Sequence, residues 1–172
     1  MNFNAHIKEI PDFPKKGILF RDIAPLMKDP LLWKKVIDEL SIYIKKIKPN
    51  YIAGIEARGF IIGSALATVN KVGFIPIRKR GKLAGETIST EYSLEYGIDK
   101  LEIQLNSFPS GSTILIIDDL LATGGTVQAA QRLVELSKGM VVGYCFIVEL
   151  INLNGREKLS RHVPIKSIVK YY

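Results

Sequence analysis

The stretch TILIIDDLLATGGTVQAAQRLVELSK, residues 113–138, decides the predicted fold because a strand, an acidic pair and a helix follow one another in it. Residues 113–117 form an almost wholly apolar run, which is typical of a parallel strand that is covered on both faces. Asp118 and Asp119 stand at the end of this run. The small-residue loop 122–126 then opens a helix, so the stretch predicts a strand–loop–helix unit with charged residues at its turn.

The loop and the acidic pair together predict a ligand that carries phosphate and hydroxyl groups on one frame. The first N–H groups of a helix have no partner within the helix, and with the hydroxyls of Thr123 and Thr126 they form a cradle for a phosphate. Carboxylates accept hydrogen bonds from hydroxyl groups, so a ribose 5-phosphate fits the pattern. The alternative is an ordinary helix start with an acidic cap and a flexible turn.

Outward from this stretch, strands alternate with helices. Asp29 and Pro30 open a helix that Pro49 ends. Further segments follow from apolar runs and periodicity: strands over 51–55, 73–78, 101–105 and 140–149, and helices over 59–70 and 124–138. This order predicts an α/β fold with a mainly parallel twisted sheet flanked by helices, in one domain over residues 1–172. Ligands of such folds bind beyond the carboxyl ends of the strands.

Composition narrows the class of protein. Of the 172 residues, 47% are hydrophobic. The chain has 24 Lys and Arg residues and 17 Asp and Glu residues, which gives a net charge of +7. This excess favours an anionic partner, such as nucleic acid, a membrane surface or a phosphorylated small molecule. A lone cysteine, Cys145, and two histidines argue against disulfides and against Cys- or His-based metal centres. The N-terminus lacks a signal-peptide pattern, and no apolar run approaches about 20 residues, so we expect a cytoplasmic protein without a membrane partner.

Part of the positive charge stands at predicted strand ends. Arg58 follows one strand, and Arg78, Lys79 and Lys82 follow the next. A solvated charge run or a nucleic-acid patch would give the same pattern. The polar segment 79–97 is too long for a simple turn and is predicted to be a mobile lid loop.

The quoted stretch resembles the phosphoribosyl pyrophosphate motif of the type I phosphoribosyltransferases, and in particular that of the adenine phosphoribosyltransferases. Further stretches agree with that family in the same order: PDFPKKGILFRD (11–22), EARGF (56–60), RKRGKL (78–83), YSLEYG (92–97), VEL (148–150) and GREKL (155–159). One departure is Ala84, where the family commonly has proline; the loss of a fixed φ would loosen the lid.

The resemblance implies transfer of a phosphoribosyl group to adenine, giving AMP and pyrophosphate. Glu95 would be the catalytic residue, assisting proton movement on the purine. Asp118 and Asp119 would bind the ribose. The remaining implied contacts are the 5-phosphate at Ala122, Thr123, Gly124, Gly125 and Thr126, the pyrophosphate at Arg58, Arg78, Lys79 and Lys82, and adenine at Leu19, Phe20, Arg21 and Leu150.

The resemblance also implies a type I phosphoribosyltransferase fold with a small N-terminal hood (about residues 1–28) and the lid loop at 79–97. The cofactor would be Mg²⁺, held by substrate and water rather than by protein ligands. A cis Glu56–Ala57 peptide and a homodimer with no nucleic-acid partner would also be expected, with helix 59–70 contributing to the interface.

Two alternatives remain open. A sister enzyme would act on hypoxanthine, guanine, xanthine or orotate, but the aromatic residue and lysine that six-oxopurine enzymes place at the base site have no clear equivalent near Val148–Leu150. A phosphoribosyl pyrophosphate-sensing regulator that binds RNA or DNA is compatible with the net charge. Its 172 residues, however, leave no room for an added DNA-binding domain.

Overall fold

The structure, a computed structural model, describes residues 2–94 and 97–172. The helices are α1 Ala24–Lys28, α2 Pro30–Ile47, α3 Arg58–Asn70 and α4 Gly125–Leu136, with 3₁₀ turns at Phe3–His6, Ile151–Leu153 and Gly155–Lys158. The strands are β1 Lys8–Ile10, β2 Phe20–Asp22, β3 Tyr51–Ile55, β4 Gly73–Lys79, β5 Thr87–Leu94, β6 Gly97–Gln104, β7 Thr113–Leu121, β8 Met140–Leu150 and β9 Ile165–Tyr171.

Within these described residues, seven strands form one sheet in the order β5-β6-β4-β3-β7-β8-β9. The pairs β3–β4, β3–β7, β7–β8 and β8–β9 are parallel, whereas β6 pairs antiparallel with both β4 and β5. Helices pack against the parallel strands, so the predicted α/β fold with a mainly parallel sheet is confirmed. The carboxyl ends of β3, β4, β7 and β8 meet at one edge of the sheet, where ligands of such folds bind.

The central strand β7 is buried on both faces, which explains its apolar run. Successive side chains of a strand point to opposite faces. Leu115 and Ile117 pack in the cluster that contains residues of α2 and α3, and Ile114 and Ile116 pack in the cluster that contains residues of α4. All four are fully buried, so this run fixes the strand between two helical layers.

Helix α2 begins at Pro30, as predicted, because Asp29 caps its N-terminus. The Asp29 carboxylate accepts hydrogen bonds from the N–H groups of Leu31 and Leu32 at 2.9 and 3.0 Å, and Pro30 occupies the first turn, where it has no hydrogen bond to lose. The helix ends at Ile47, where Lys48 adopts a left-handed conformation just before Pro49.

The segment predicted as a lid loop, residues 79–97, has a different structure. Strand β4 runs to Lys79, and β5 and β6 form an antiparallel pair, which we call the arm (residues 87–94 and 97–104). On β5, Ile88 and Tyr92 pack toward the core while the residues between them are polar. The loop prediction depended on the polar character of the segment and on its lack of an apolar run. A half-buried strand with a period-two pattern has the same composition, which is why β5 was not predicted.

The N-terminal segment predicted as a hood contains a separate two-stranded antiparallel sheet, β1 with β2, followed by α1. Strand β9, with the sequence IKSIVKY, extends the main sheet beside β8 and was not predicted, because its polar residues interrupt the apolar pattern. In the part of the chain that the structure describes, no helix has the length and apolar character needed to cross a membrane.

Candidate active site

The acidic pair lies inside β7, which continues to Leu121 rather than ending at Ile117. Asp119 is only 7% exposed, and its carboxylate accepts a short hydrogen bond from Nε of Arg58. The Asp119 N–H donates to Oδ1 of Asp118 at 2.9 Å. Burial, together with the charge of Asp119, raises the pKa of Asp118 well above its usual range. The carboxyl group of Asp118 therefore resists ionisation.

Arg58 reaches the acidic pair because α3 begins very close to β7. A Cβ atom on Gly59 would lie 2.8 Å from the carbonyl oxygen of Ile117 and 3.2 Å from Oδ1 of Asp118, so only glycine permits this approach. The preceding Glu56–Ala57 peptide is cis, as the resemblance implied.

The loop from Ala122 to Thr126 leaves the start of α4 open. Gly124 precedes the helix with φ +80°, and among the described residues no side chain caps this end, in contrast to Asp29 on α2. The loop lines a cavity of about 340 Å³ together with Glu56, Arg58, Asp118 and Asp119. The first-turn N–H groups and the two acidic residues thus face the same space, which suits a phosphate and the hydroxyls of a sugar. We call this the phosphoribosyl cavity.

The four residues predicted to bind pyrophosphate come together near this cavity, and each is paired with a carboxylate. Nε of Arg78 lies 2.8 Å from Oε2 of Glu56, and Nζ of Lys82 lies 3.2 Å from Oε1 of the same residue. Nζ of Lys79 lies 2.8 Å from Oδ2 of Asp99, and Arg58 is paired with Asp119. Arg58 and Lys79 line the cavity itself.

Positive charge in this cluster is therefore largely offset, which corrects the expectation that part of the +7 excess is concentrated at the site. Each of the four cationic side chains is paired with the carboxylate of Glu56, Asp99 or Asp119, while burial raises the pKa of Asp118 and opposes its ionisation. Sequence reasoning missed Glu56 and Asp99. Glu56 directly follows β3 at the edge where ligands bind, and that position was the available signal. Burial raises its pKa, but hydrogen bonds from Arg78 and Lys82 outweigh burial and leave the pKa low.

The arm also contributes to this cavity through Tyr92. The Tyr92 hydroxyl donates to Oδ2 of Asp99 at 3.3 Å, and burial together with Asp99 raises the pKa of Tyr92 to about 12. Asp99 thus connects Tyr92 with Lys79 of β4. The predicted catalytic residue Glu95 lies outside the described residues, and its role stays a prediction.

A second cavity, of about 440 Å³, adjoins the first, and we call it the base cavity. All four residues predicted to contact adenine line it: Leu19, Phe20, Arg21 and Leu150. Sequence reasoning missed other lining residues, including Pro14, Ile18 and Leu153, since apolar residues in loops carry no signal of a ligand. The following residues line both cavities: Leu120, Ala122, Thr123, Gly125 and Thr126.

Aromatic contacts hold the N-terminal strand β2 over these cavities. The Arg21 guanidinium lies 3.9 Å from the ring centroid of Tyr171 on β9 and pairs with Glu9 on β1. The Phe20 ring lies 5.1 Å from the Arg58 guanidinium carbon, at a distance typical of a cation–π contact. The base cavity is therefore tied to the residues of the phosphoribosyl cavity.

The described residues contain no cluster of three or more His, Cys, Asp or Glu side chains that could hold a metal ion. The oxygen donors of Asp118 and Asp119 nevertheless line the phosphoribosyl cavity. Such a donor set fits Mg²⁺ that is bound mainly through substrate phosphates and water.

Comparisons with known proteins agree with this geometry. Residues 26–170 match the phosphoribosyl transferase domain family. The chain is 48% identical to an adenine phosphoribosyltransferase of Prochlorococcus marinus (strain MIT 9313), over 99% of both chains.

Two solved structures extend the comparison. That of adenine phosphoribosyltransferase from Thermoanaerobacter pseudethanolicus has a TM-score of 0.95 and 47% identity, over 98% of both chains. That of the Saccharomyces cerevisiae enzyme, complexed with adenine and an imino-altritol bisphosphate, has a TM-score of 0.92 and 41% identity, over 96% of both chains. The fold and sequence thus agree along almost the whole length, and the chain belongs to the adenine phosphoribosyltransferase family.

Proposed function

We propose that this chain transfers the 5-phosphoribosyl group of phosphoribosyl pyrophosphate to adenine, giving AMP and pyrophosphate. The observation that carries the proposal is the shared wall of the two cavities. An apolar cavity for a flat base opens directly onto a cavity that has an acidic pair and an uncapped helix start. The yeast relative, whose structure is of a complex with adenine and a bisphosphate, supports the same division of the site.

In this proposal the phosphoribosyl cavity orients the sugar. Asp118 and Asp119 accept hydrogen bonds from the ribose hydroxyls, and the N–H groups of the loop 122–126 hold the 5-phosphate at the start of α4. Each charge-assisted hydrogen bond of this kind contributes about 1.5–3 kcal/mol. Leu19, Phe20, Arg21 and Leu150 hold adenine in the base cavity, which places N9 of the purine near C1 of the ribose.

The reaction breaks the bond between C1 and a pyrophosphate oxygen, which keeps the electron pair, and forms the bond between C1 and N9. Adenine gives up its ring N–H proton, which we propose passes to the Glu95 carboxylate and from there to solvent. Arg58, Arg78, Lys79 and Lys82 stabilise the negative charge of the leaving group. Since each of these cations is paired with a carboxylate, their side chains exchange those partners for pyrophosphate oxygens as the substrate binds.

The paired cations of the cluster support use of the substrate as its magnesium complex. A site whose cationic side chains are already paired with carboxylates does not by itself neutralise a phosphate and a pyrophosphate. Mg²⁺ supplies electrostatic stabilisation of the leaving group when bound. Asp118 and Asp119 would contact it directly or through the ribose hydroxyls and water.

We also propose that residues 1–172 act as one domain, in the cytoplasm and as a homodimer. The homodimer is supported by α3, on which Ile61 and Val69 are 47% and 54% exposed on a helix that is apolar almost all round. The hood would cover the base and the arm would act as the lid. A reduced compartment suits the buried free thiol of Cys145.

The deciding experiment measures pyrophosphate release by the purified protein with phosphoribosyl pyrophosphate and Mg²⁺. We expect rapid release with adenine and slow release with hypoxanthine, guanine or orotate, because the base cavity has mainly apolar lining. Chelation by EDTA should stop release, and added Mg²⁺ should restore it. Equal rates with all four bases, or no release with adenine, would contradict the proposed substrate and favour a sister enzyme or a binding protein.

A further inference from the structure

One ion pair, whose carboxylate is buried, has no part in the proposed reaction. Glu149 lies near the end of β8, is 2% exposed, and accepts hydrogen bonds from both Nε and Nη2 of Arg156, the latter at 2.7 Å. The Ser167 hydroxyl of β9 donates to Oε2 of the same carboxylate at 2.6 Å. Burial raises the pKa of Glu149, but Arg156 and Ser167 outweigh burial and leave the pKa below its usual range. The carboxylate is thus ionised, and both of its oxygens accept hydrogen bonds.

The segment that carries Arg156 supports both cavities, and we call residues 151–158 the strap. Its Leu153 lines the base cavity. Its Gly155 lies against the loop 122–126, which we call the phosphate loop. The approach is so close that a Cβ atom on Gly155 would come within 3.0 Å of the Gly124 nitrogen and 3.1 Å of the Ala122 carbonyl carbon. The strap therefore backs the N–H groups that are proposed to hold the 5-phosphate.

This contact between the strap and the phosphate loop is made by backbone atoms of two glycines. Glycines provide no side chains that could interlock and fix the position of one segment against the other. The only side chain of the strap with a two-point hydrogen bond to the sheet, among the described residues, is Arg156. A planar guanidinium bound at two points fixes orientation as well as distance, which a lysine ammonium does not.

We propose that the Glu149–Arg156 pair is a positioning device for the 5-phosphate site: it holds the strap in place, and the strap holds the phosphate loop in its binding conformation. Arg156 is a positioning residue in this scheme and does not touch the substrate. The inference rests on the proposed function, because it assigns the 5-phosphate to the loop 122–126. The Arg156 side chain is 40% exposed, so its ion pair with Glu149 is weak evidence of a role in stability, and the two-point hydrogen bond favours a role in geometry.

The test compares Arg156→Lys with Lys166→Met, which removes the ion pair between Lys166 of β9 and Glu39 of α2 at 2.7 Å, away from the strap. For Arg156→Lys we expect the KM for phosphoribosyl pyrophosphate and the Kd for ribose 5-phosphate to rise by about tenfold or more, with a smaller change in kcat. Lys166→Met should leave both unchanged. Calorimetric titration with ribose 5-phosphate measures binding without the base or the reaction.

A second variant guards against loss of folding. In Glu149→Leu/Arg156→Met the pair is replaced by apolar side chains, which restores the thermal midpoint when packing is good. We expect ribose 5-phosphate binding to stay weak in it. Methylguanidinium should partly restore binding to Arg156→Ala, since it supplies the missing fork of donors.

Wild-type affinity for ribose 5-phosphate in Arg156→Lys, or in a folded Glu149→Leu/Arg156→Met, would overturn the inference and leave the proposed function intact. A second outcome is that the variants lose affinity while the wild-type protein binds ribose 5-phosphate but does not use adenine. This outcome would uphold the inference and overturn the proposed substrate. A wild-type protein that does not bind ribose 5-phosphate would overturn both.

Discussion

At the scale of single residues, the two adjacent carboxyl groups of β7 differ in their surroundings. Asp119 is bound by Arg58, whereas Asp118 is desolvated beside another negative charge, which raises its pKa. A raised pKa in the folded protein means that ionisation of Asp118 opposes folding. The free energy of unfolding therefore falls as the pH rises from the pKa of the unfolded state, near 3.9, toward the pKa of the folded state. The site thus keeps an unfavourable charge that a ligand with hydroxyl groups or a cation would stabilise.

Replacement of Asp118 by asparagine tests this directly. Asp118→Asn should bind phosphoribosyl pyrophosphate more weakly and yet have a higher thermal midpoint than the wild type at pH 7. This difference should shrink toward pH 4, because the wild-type carboxyl group is then protonated in the folded state and about half protonated in the unfolded state. Thermal denaturation across this pH range measures it. Asp38→Asn, at an exposed position of α2, is the matched control and should show no such trend; a lower midpoint for Asp118→Asn at pH 7 would contradict the argument.

Glu95 provides a second prediction at this scale. Glu95→Gln removes the proposed proton-handling group with little change in size, so kcat should fall by about 10²–10⁴ while the KM for phosphoribosyl pyrophosphate changes by only a few-fold. Steady-state kinetics of pyrophosphate release measure both constants. Glu91→Gln, which removes an exposed carboxylate of β5 that is paired with Lys100, is the control and should retain kcat. An unchanged kcat in Glu95→Gln would exclude Glu95 from the mechanism.

At the scale of structural elements, the phosphate loop depends on close backbone packing. Gly124 has φ +80° and lies against the Gly155 backbone, whereas Gly111 has φ +82° with open space around its Cα. The two positions share the same conformational penalty for a side chain, but only Gly124 faces a collision and only Gly124 lies in the loop that lines the phosphoribosyl cavity. They therefore form a matched pair of substitutions.

Gly111→Ala should lower the free energy of unfolding by about 1–2 kcal/mol, the penalty for a left-handed residue, and leave the transferase kinetics unchanged. Gly124→Ala should carry the same penalty and in addition displace the strap, so the KM for phosphoribosyl pyrophosphate should rise by about tenfold or more. Urea denaturation and steady-state kinetics measure the two effects. Equal kinetic changes in both variants would show that conformation alone, and not the contact with Gly155, is responsible.

Elements with strong patterns were predictable from the sequence, and elements defined by long-range pairing were not. The strands β3, β4, β7 and β8 are apolar runs, and α2 has an N-cap, so local chemistry determines them. Strands β5 and β9 alternate polar and apolar residues, and only their neighbours in the sheet make them strands, whereas the same alternation over residues 101–105 was enough to predict part of β6. In the same way, the sequence motif located the phosphate loop. The carboxylate partners of the cations predicted to bind pyrophosphate, Glu56 and Asp99, come from other parts of the chain and were not predicted.

At the scale of the whole molecule, the net charge of +7 does not describe the site. The cations near the phosphoribosyl cavity are matched by carboxyl groups, so the excess lies elsewhere on the chain. The overall charge therefore influences solubility and non-specific association more than recognition of the substrate.

The exposed apolar face of α3 leads to a prediction about assembly. Ile61→Asp should convert the proposed homodimer into a monomer, because a charge buried at an interface without a partner is strongly unfavourable. Sedimentation velocity measures the change in mass. Ile42→Asp on α2, where the isoleucine is 58% exposed, is the control and should leave the mass unchanged. A wild-type protein that sediments as a monomer would contradict the proposal.

The wall that the two cavities share has a consequence for inhibition. Five residues, Leu120, Ala122, Thr123, Gly125 and Thr126, line both spaces, so a base and a phosphate can be joined by a short covalent linker without crossing bulk solvent. Once one end of such a molecule is bound, the other end experiences an effective concentration of about millimolar or more. A purine tethered to a phosphonate should therefore bind far more tightly than either fragment alone. AMP, in which a base and a phosphate are joined in the same way, should dissociate more slowly than pyrophosphate.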